Sequence, residues 1–107
     1  MTWRAFNELN PAEAERLAIL AEELGESIQI IGKILRHGYE SRHPNGGPSN
    51  RQLLEKELGD VRWAMIFLCE SGDLSKAAIH AGADEKAAKV VQYLHEQDLS
   101  TRKLDNA

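Results

Sequence analysis

The sequence predicts an all-α protein, an antiparallel bundle of three to four helices that oligomerisation would complete. Three observations predict it. Apolar residues recur at helical spacing, capping signals stand where those runs begin, and no segment alternates with the period of two that marks a strand. At 107 residues the chain has the length of one domain, expected over 1–107. Hydrophobic residues make up 42%, enough for a small core only, so association with further copies as a homodimer or homotetramer is a natural supplement.

Asn10-Pro11-Ala12-Glu13 opens the first helix. Asn10 can cap, Pro11 suits the first helical position, and Glu13 can close a capping box. Leu17, Leu20, Leu24, Ile28, Ile31 and Leu35 follow at helical spacing, and Gly38 is the stop signal. This predicts a helix over about 11–37. Pro44, Gly46, Gly47 and Pro48 make 38–48 a loop. Ser49 with Gln52 repeats the capping box and opens a second helix over about 50–71. Asp73 is the expected cap of helical segments over about 74–97, with Gly82 as a break or kink and Asp84 as a restart. The last ten residues are polar and expected to fray. Trp3 and Phe6 suit either packing or contact with a base.

The net charge of −4 disfavours a nucleic-acid polymer as partner, because that affinity comes largely from Lys and Arg on phosphates. Cys69 is the single cysteine, which leaves no internal disulfide and no cysteine-based zinc site. The opening residues lack the apolar run of a secretory leader, and no stretch is long enough to span a membrane. A cytoplasmic setting is expected.

The informative feature is an internal echo. Glu23-Leu24-Gly25-Glu26 and Glu57-Leu58-Gly59-Asp60 each place two acids three residues apart, on one face of a helix. At about 100° per residue, Glu23 and Glu26 fall in line with Ile19, Ile30 and Ile34. Glu57 and Asp60 fall in line with Leu53, Val61, Ala64 and Leu68. Both acid pairs thus interrupt apolar stripes. Buried carboxylates need neutralising partners, and a divalent cation with a preference for hard oxygen ligands, Mg²⁺ above all, would supply the charge. Gly25 and Gly59, each costly inside a helix, suggest a close approach of helices or ligand.

Glu22-Glu23-x-x-Glu26, followed by a loop and Glu57-x-x-Asp60, resembles the EExxE…ExxD signature of the MazG-like all-alpha NTP pyrophosphatases, in particular small phage-encoded members. The similarity spans most of the chain, including Lys86-x-x-Lys89 and Tyr93-Leu94-His95. It implies Mg²⁺-dependent hydrolysis of nucleoside triphosphates, deoxynucleotides first among them, to monophosphate and pyrophosphate, with Mn²⁺ as a second metal. It implies Glu23, Glu26, Glu57 and Asp60 as metal ligands. Glu22 and Glu23 are then the catalytic acids, with Glu22 a further ligand, a supporting acid or a base that orients water. Some members carry a lysine one turn before the second acid pair; that position is Leu53 here, with Arg51 and Lys56 nearby.

Other residues carry two readings each. Lys33, seven positions after Glu26 on the same face, suits a phosphate or a solvated lysine. Lys86 and Lys89 suit a pyrophosphate clamp or a solvated face. Trp63 and Phe67, near the angular position of Asp60, suit a base or an apolar interface. His37 falls near the acid face. Glu40-x-x-His43 has di-iron spacing, yet it lies between Gly38 and Pro44 and is expected to be loop. Two further functions compete with the enzyme: a non-catalytic helical interaction module that keeps the acids for structure, and a metal-dependent phosphohydrolase of another phosphorylated small molecule.

Overall fold

The computed structural model describes residues 6–97, and these contain three α-helices, a short 3₁₀ turn and no strand. Trp3 and the last ten residues lie outside the described range. No helix among the described residues is long and apolar enough to cross a membrane. The chain divides into two compact units, the first ending at Asp73 and the second beginning at Leu74.

The first unit is a helical hairpin. Helix α1 spans Pro11–His37 and helix α2 spans Asn50–Glu70. Each starts on a reciprocal capping box. The Asn10 side chain accepts from the Glu13 N–H while Glu13 accepts from the Asn10 N–H, and Ser49 and Gln52 do the same. These contacts satisfy N–H groups that the first turn leaves orphaned. Gly38 ends α1 at φ 90°, a conformation that side chains with a Cβ rarely adopt. The Asn50 side chain donates to the Gly38 carbonyl at 3.2 Å, joining the end of α1 to the start of α2. At the other end Arg16 makes two bonds to Asp73, at 2.6 and 3.0 Å. The helices therefore run antiparallel.

The connecting loop is held at many points. Asn50 and Arg51 donate backbone bonds to Ser41 and Tyr39, each at 2.9 Å. The Arg51 guanidinium lies 4.4 Å from the centre of the Tyr39 ring and pairs with Glu40. Glu40 and His43 lie in this loop, as their context predicts, and not on a core-facing helix.

The seam between α1 and α2 buries Ile30, Val61, Ala64 and Leu68, together with Ser27. The α1 stripe that packs is thus the one shared with the acids. The longer run at 17, 20, 24, 28, 31 and 35 points elsewhere: Ile28 is 68% and Leu35 83% exposed, and Leu17, Leu24 and Ile31 are exposed as well. Gly25 and Gly59 also face open space, since a Cβ on either would meet no atom within 4 Å. The expectation that they permit close helix packing is therefore corrected for this hairpin. Both are rotated away from its seam.

The second unit contains helix α3, Lys76–Val90, and a 3₁₀ turn, Val91–Tyr93. Three expectations are corrected here. The cap is Ser75, whose hydroxyl accepts from the Ala78 N–H, because Asp73 is taken by Arg16. Helix α3 also passes straight through Gly82, which costs helix stability but, unlike proline, removes no hydrogen bond. The helical run then ends at Tyr93, short of 97.

The Arg16–Asp73 clamp gives a pH prediction. Its direct hydrogen bond with Arg16 holds the Asp73 carboxyl below its ordinary value of 3.8. A depressed acid contributes stability that is complete above its unfolded value and lost as pH falls through the folded one. Asp73→Asn is expected to melt a few degrees below wild type at pH 7, and the gap should close below about pH 3.8. Thermal melts by circular dichroism across this range check it.

Candidate metal centre

The acids occupy the middle of the hairpin seam. Glu23 and Glu26 come from α1, one turn apart, and Glu57 and Asp60 come from α2. Carboxylate oxygens of Glu23, Glu57 and Asp60 lie within 4.8 Å of one another. All three side chains are half-buried. Glu26 stands beside this trio, near enough to Glu57 for that carboxyl to raise the pKa of Glu26. Structure thus brings all four sequence-predicted acids together, three of them with converging oxygens. Ser27, in line behind Glu23, donates its hydroxyl to the Glu23 carbonyl at 2.9 Å and puts no further charge into the seam.

The electrostatics are those of crowded anions. Burial, followed by the charges of Asp60, Glu57 and Glu22, holds the Glu23 carboxyl above its ordinary range. The contact and charge of Glu57, then burial, raise Glu26 likewise. Among the described residues one cation faces the group. Lys56 donates to Asp60 at 2.8 Å and lies 3.9 Å from Glu57. A single ammonium cannot balance four carboxylates. Oε2 of Glu23 and Oε2 of Glu57 are moreover buried with no hydrogen-bond partner. A buried charged acceptor with nothing to accept is unfavourable. Four hard oxygen donors from two rigid helices, two of them with an unused buried oxygen, fit a divalent cation of the Mg²⁺ type.

The remaining candidates fall in other places. Glu22 is exposed and reaches the centre through its charge. Trp63 is 56% exposed and packs its ring 5.2 Å from that of Phe67, which also carries the Arg16 guanidinium at 5.9 Å. Lys33 lines a cavity at the loop end of the hairpin. Lys86 and Lys89 belong to the second unit, where both are exposed and Lys89 pairs with Glu85 at 2.6 Å. Lys56 was legible only as a nearby cation. Its spacing of four from Asp60 is the signal for the contact it makes.

A helical hairpin with two carboxylates from each arm defines a class: all-α proteins with a cluster of acids on the seam between two helices. The family of MazG nucleotide pyrophosphohydrolase domains matches residues 12–93, which include both helices of the hairpin and every acid of the centre. The chain belongs to this family. Comparisons with curated proteins and with solved structures returned no match.

If carboxylate repulsion dominates the site, removing one charge should stabilise the protein without metal. Glu23→Gln is expected to raise the melting temperature by a few degrees in chelator, whereas Mg²⁺ should raise that of wild type far more than that of the variant. A variant that melts earlier in chelator would contradict the repulsion.

Proposed function

We propose that the protein hydrolyses nucleoside triphosphates, deoxynucleotides among them, to the monophosphate and pyrophosphate with Mg²⁺, or Mn²⁺ in its place. The observation that carries this reading is the pair of buried, unpartnered carboxylate oxygens on Glu23 and Glu57, within the acid cluster of a MazG domain. Glu23, Glu26, Glu57 and Asp60 would hold the ion. Bound there, a divalent cation supplies charge neutralisation for phosphate oxygens and acidifies water. The residues themselves set position. Helices α1 and α2 fix the carboxylates on a packed seam, so little is reorganised when substrate arrives. Glu22 adjoins Glu23 and is exposed, which suits it to orient an incoming water. Hydrolysis joins that water oxygen to the α-phosphorus and breaks its bridge to the β-phosphate. Trp63 offers an exposed ring one turn beyond Asp60, suited to flank a base. Lys86 and Lys89, both exposed on α3, are candidate substrate-binding residues by the family resemblance alone. The expected setting is a cytoplasmic nucleotide pool.

The expected assay result is pyrophosphate release from at least one canonical or deoxynucleoside triphosphate with Mg²⁺ or Mn²⁺. Glu57→Gln should lower the rate at least about 100-fold while helix content is retained. Folded protein that releases pyrophosphate from none of them would sink the enzyme and leave a helical interaction module.

Self-association is part of the same proposal. Leu17, Leu24, Ile28, Ile31 and Leu35 form one exposed apolar face on α1, which a second copy would cover as a homodimer or as part of a homotetramer. Ile28→Glu should shift the protein to monomer by light scattering. A wild-type protein already monomeric at high concentration would remove the oligomer.

A further inference from the structure

A second charged site lies along the same hairpin, with the opposite sign. The end of α1 and the α1–α2 loop enclose a cavity of about 430 Å³, lined by Lys33, Arg36, His37, Arg42 and His43 together with neutral residues. No acidic residue lines it. Lys33, Arg36 and Arg42 have no carboxylate partner among the described residues, although acids outnumber Lys and Arg by 17 to 13 in the chain. Arg51, just outside, is by contrast neutralised by Glu40. Arg42 is also pre-set, since one guanidinium nitrogen donates to the Gly47 carbonyl at 2.7 Å. Unpaired guanidinium groups converging on a concave surface form a receptor for an anion, and their forked donors suit phosphate oxygens.

The place of the cavity narrows the anion. Lys33 and His37 follow Glu26 on α1 by seven and eleven residues, within about 20° of its direction on the helix. Leu53, on the opposite wall, precedes Glu57 by one turn. The cationic cavity therefore begins about 6–10 Å along the hairpin axis from the acids. An anion with one end at a metal held by carboxylates and the other among arginines is a chain of phosphates. We propose that this cavity binds the outer two phosphates of the triphosphate, the pair that leaves as pyrophosphate, and so directs the nucleoside away from the loop. This rests on the pyrophosphohydrolase reading for the position of the inner phosphate. As the α–β bridge breaks, its electron pair stays with the departing pyrophosphate, where Arg36 and Arg42 meet the added charge.

Pyrophosphate itself is the probe, measured by calorimetry in chelator so that the acid centre plays no part. Wild type and Glu57→Gln should bind it alike, and Arg36→Gln combined with Arg42→Gln should bind it at least tenfold more weakly. Arg36→Gln alone, which breaks no structural hydrogen bond, should show part of the loss with the loop intact. The double variant should also lose at least tenfold in kcat/KM for the triphosphate, while binding of the monophosphate changes little. Unchanged pyrophosphate binding in the double variant would overturn the proposal. So would orthophosphate binding as tight as pyrophosphate with kcat/KM unaltered, which would mark a site for free phosphate. Arginine-dependent pyrophosphate binding in a wild type that hydrolyses no triphosphate would overturn the enzyme and uphold the cavity as an oligophosphate site.

Discussion

Four carboxylates share the middle of a two-helix seam, and the rest of the structure answers to that crowding. Placing them there commits α1 and α2 to a fixed register, because Glu23 and Glu26 must face Glu57 and Asp60 while Ile30, Val61, Ala64 and Leu68 pack around them. Burial and then the neighbouring charges raise the Glu23 carboxyl, the contact and charge of Glu57 raise Glu26, and two buried oxygens accept nothing. Folding thus places charge where burial disfavours it, a cost that a bound cation would offset.

The rest of the hairpin is consistent with holding that arrangement against its own charge. The capping boxes at Asn10 and Ser49 fix where both helices begin. Arg16 ties the start of α1 to Asp73 beyond the end of α2, and the Gly38–Asn50 contact ties the other end. Lys56 relieves the exposed edge of the cluster at Asp60 and leaves the deeper oxygens of Glu23 and Glu57 without a partner. The hairpin also separates charge along its length, with carboxylates in the middle and unpaired arginines at the loop. For a polyanionic ligand carrying a metal, that order gives one direction of binding.

Much of this was legible in the sequence. The acid-Leu-Gly-acid echo located the centre, and helical periodicity showed that both pairs interrupt apolar stripes. The boundaries of α1 came directly from Asn10, Pro11 and Gly38, because caps act on their own neighbours. The failures share a cause. Asp73 reads as a cap, yet an arginine 57 residues away competes for it. Gly25 and Gly59 read as points of close packing, yet both face open space, and the most regular apolar run on α1 is exposed in the hairpin, since spacing marks a helix face without naming its partner.

The sequence by itself determined the helices, the two acid pairs and the family, because these depend on spacing along one chain. Tertiary structure decided which face of α1 packs, that three of the four acids converge while Glu26 stands beside Glu57, and that Lys33 is joined by Arg36 and Arg42 around one cavity. Arg36 and Arg42 sit on a helix end and a loop, with no common period. Only the closing of the hairpin brings their charges to the same place.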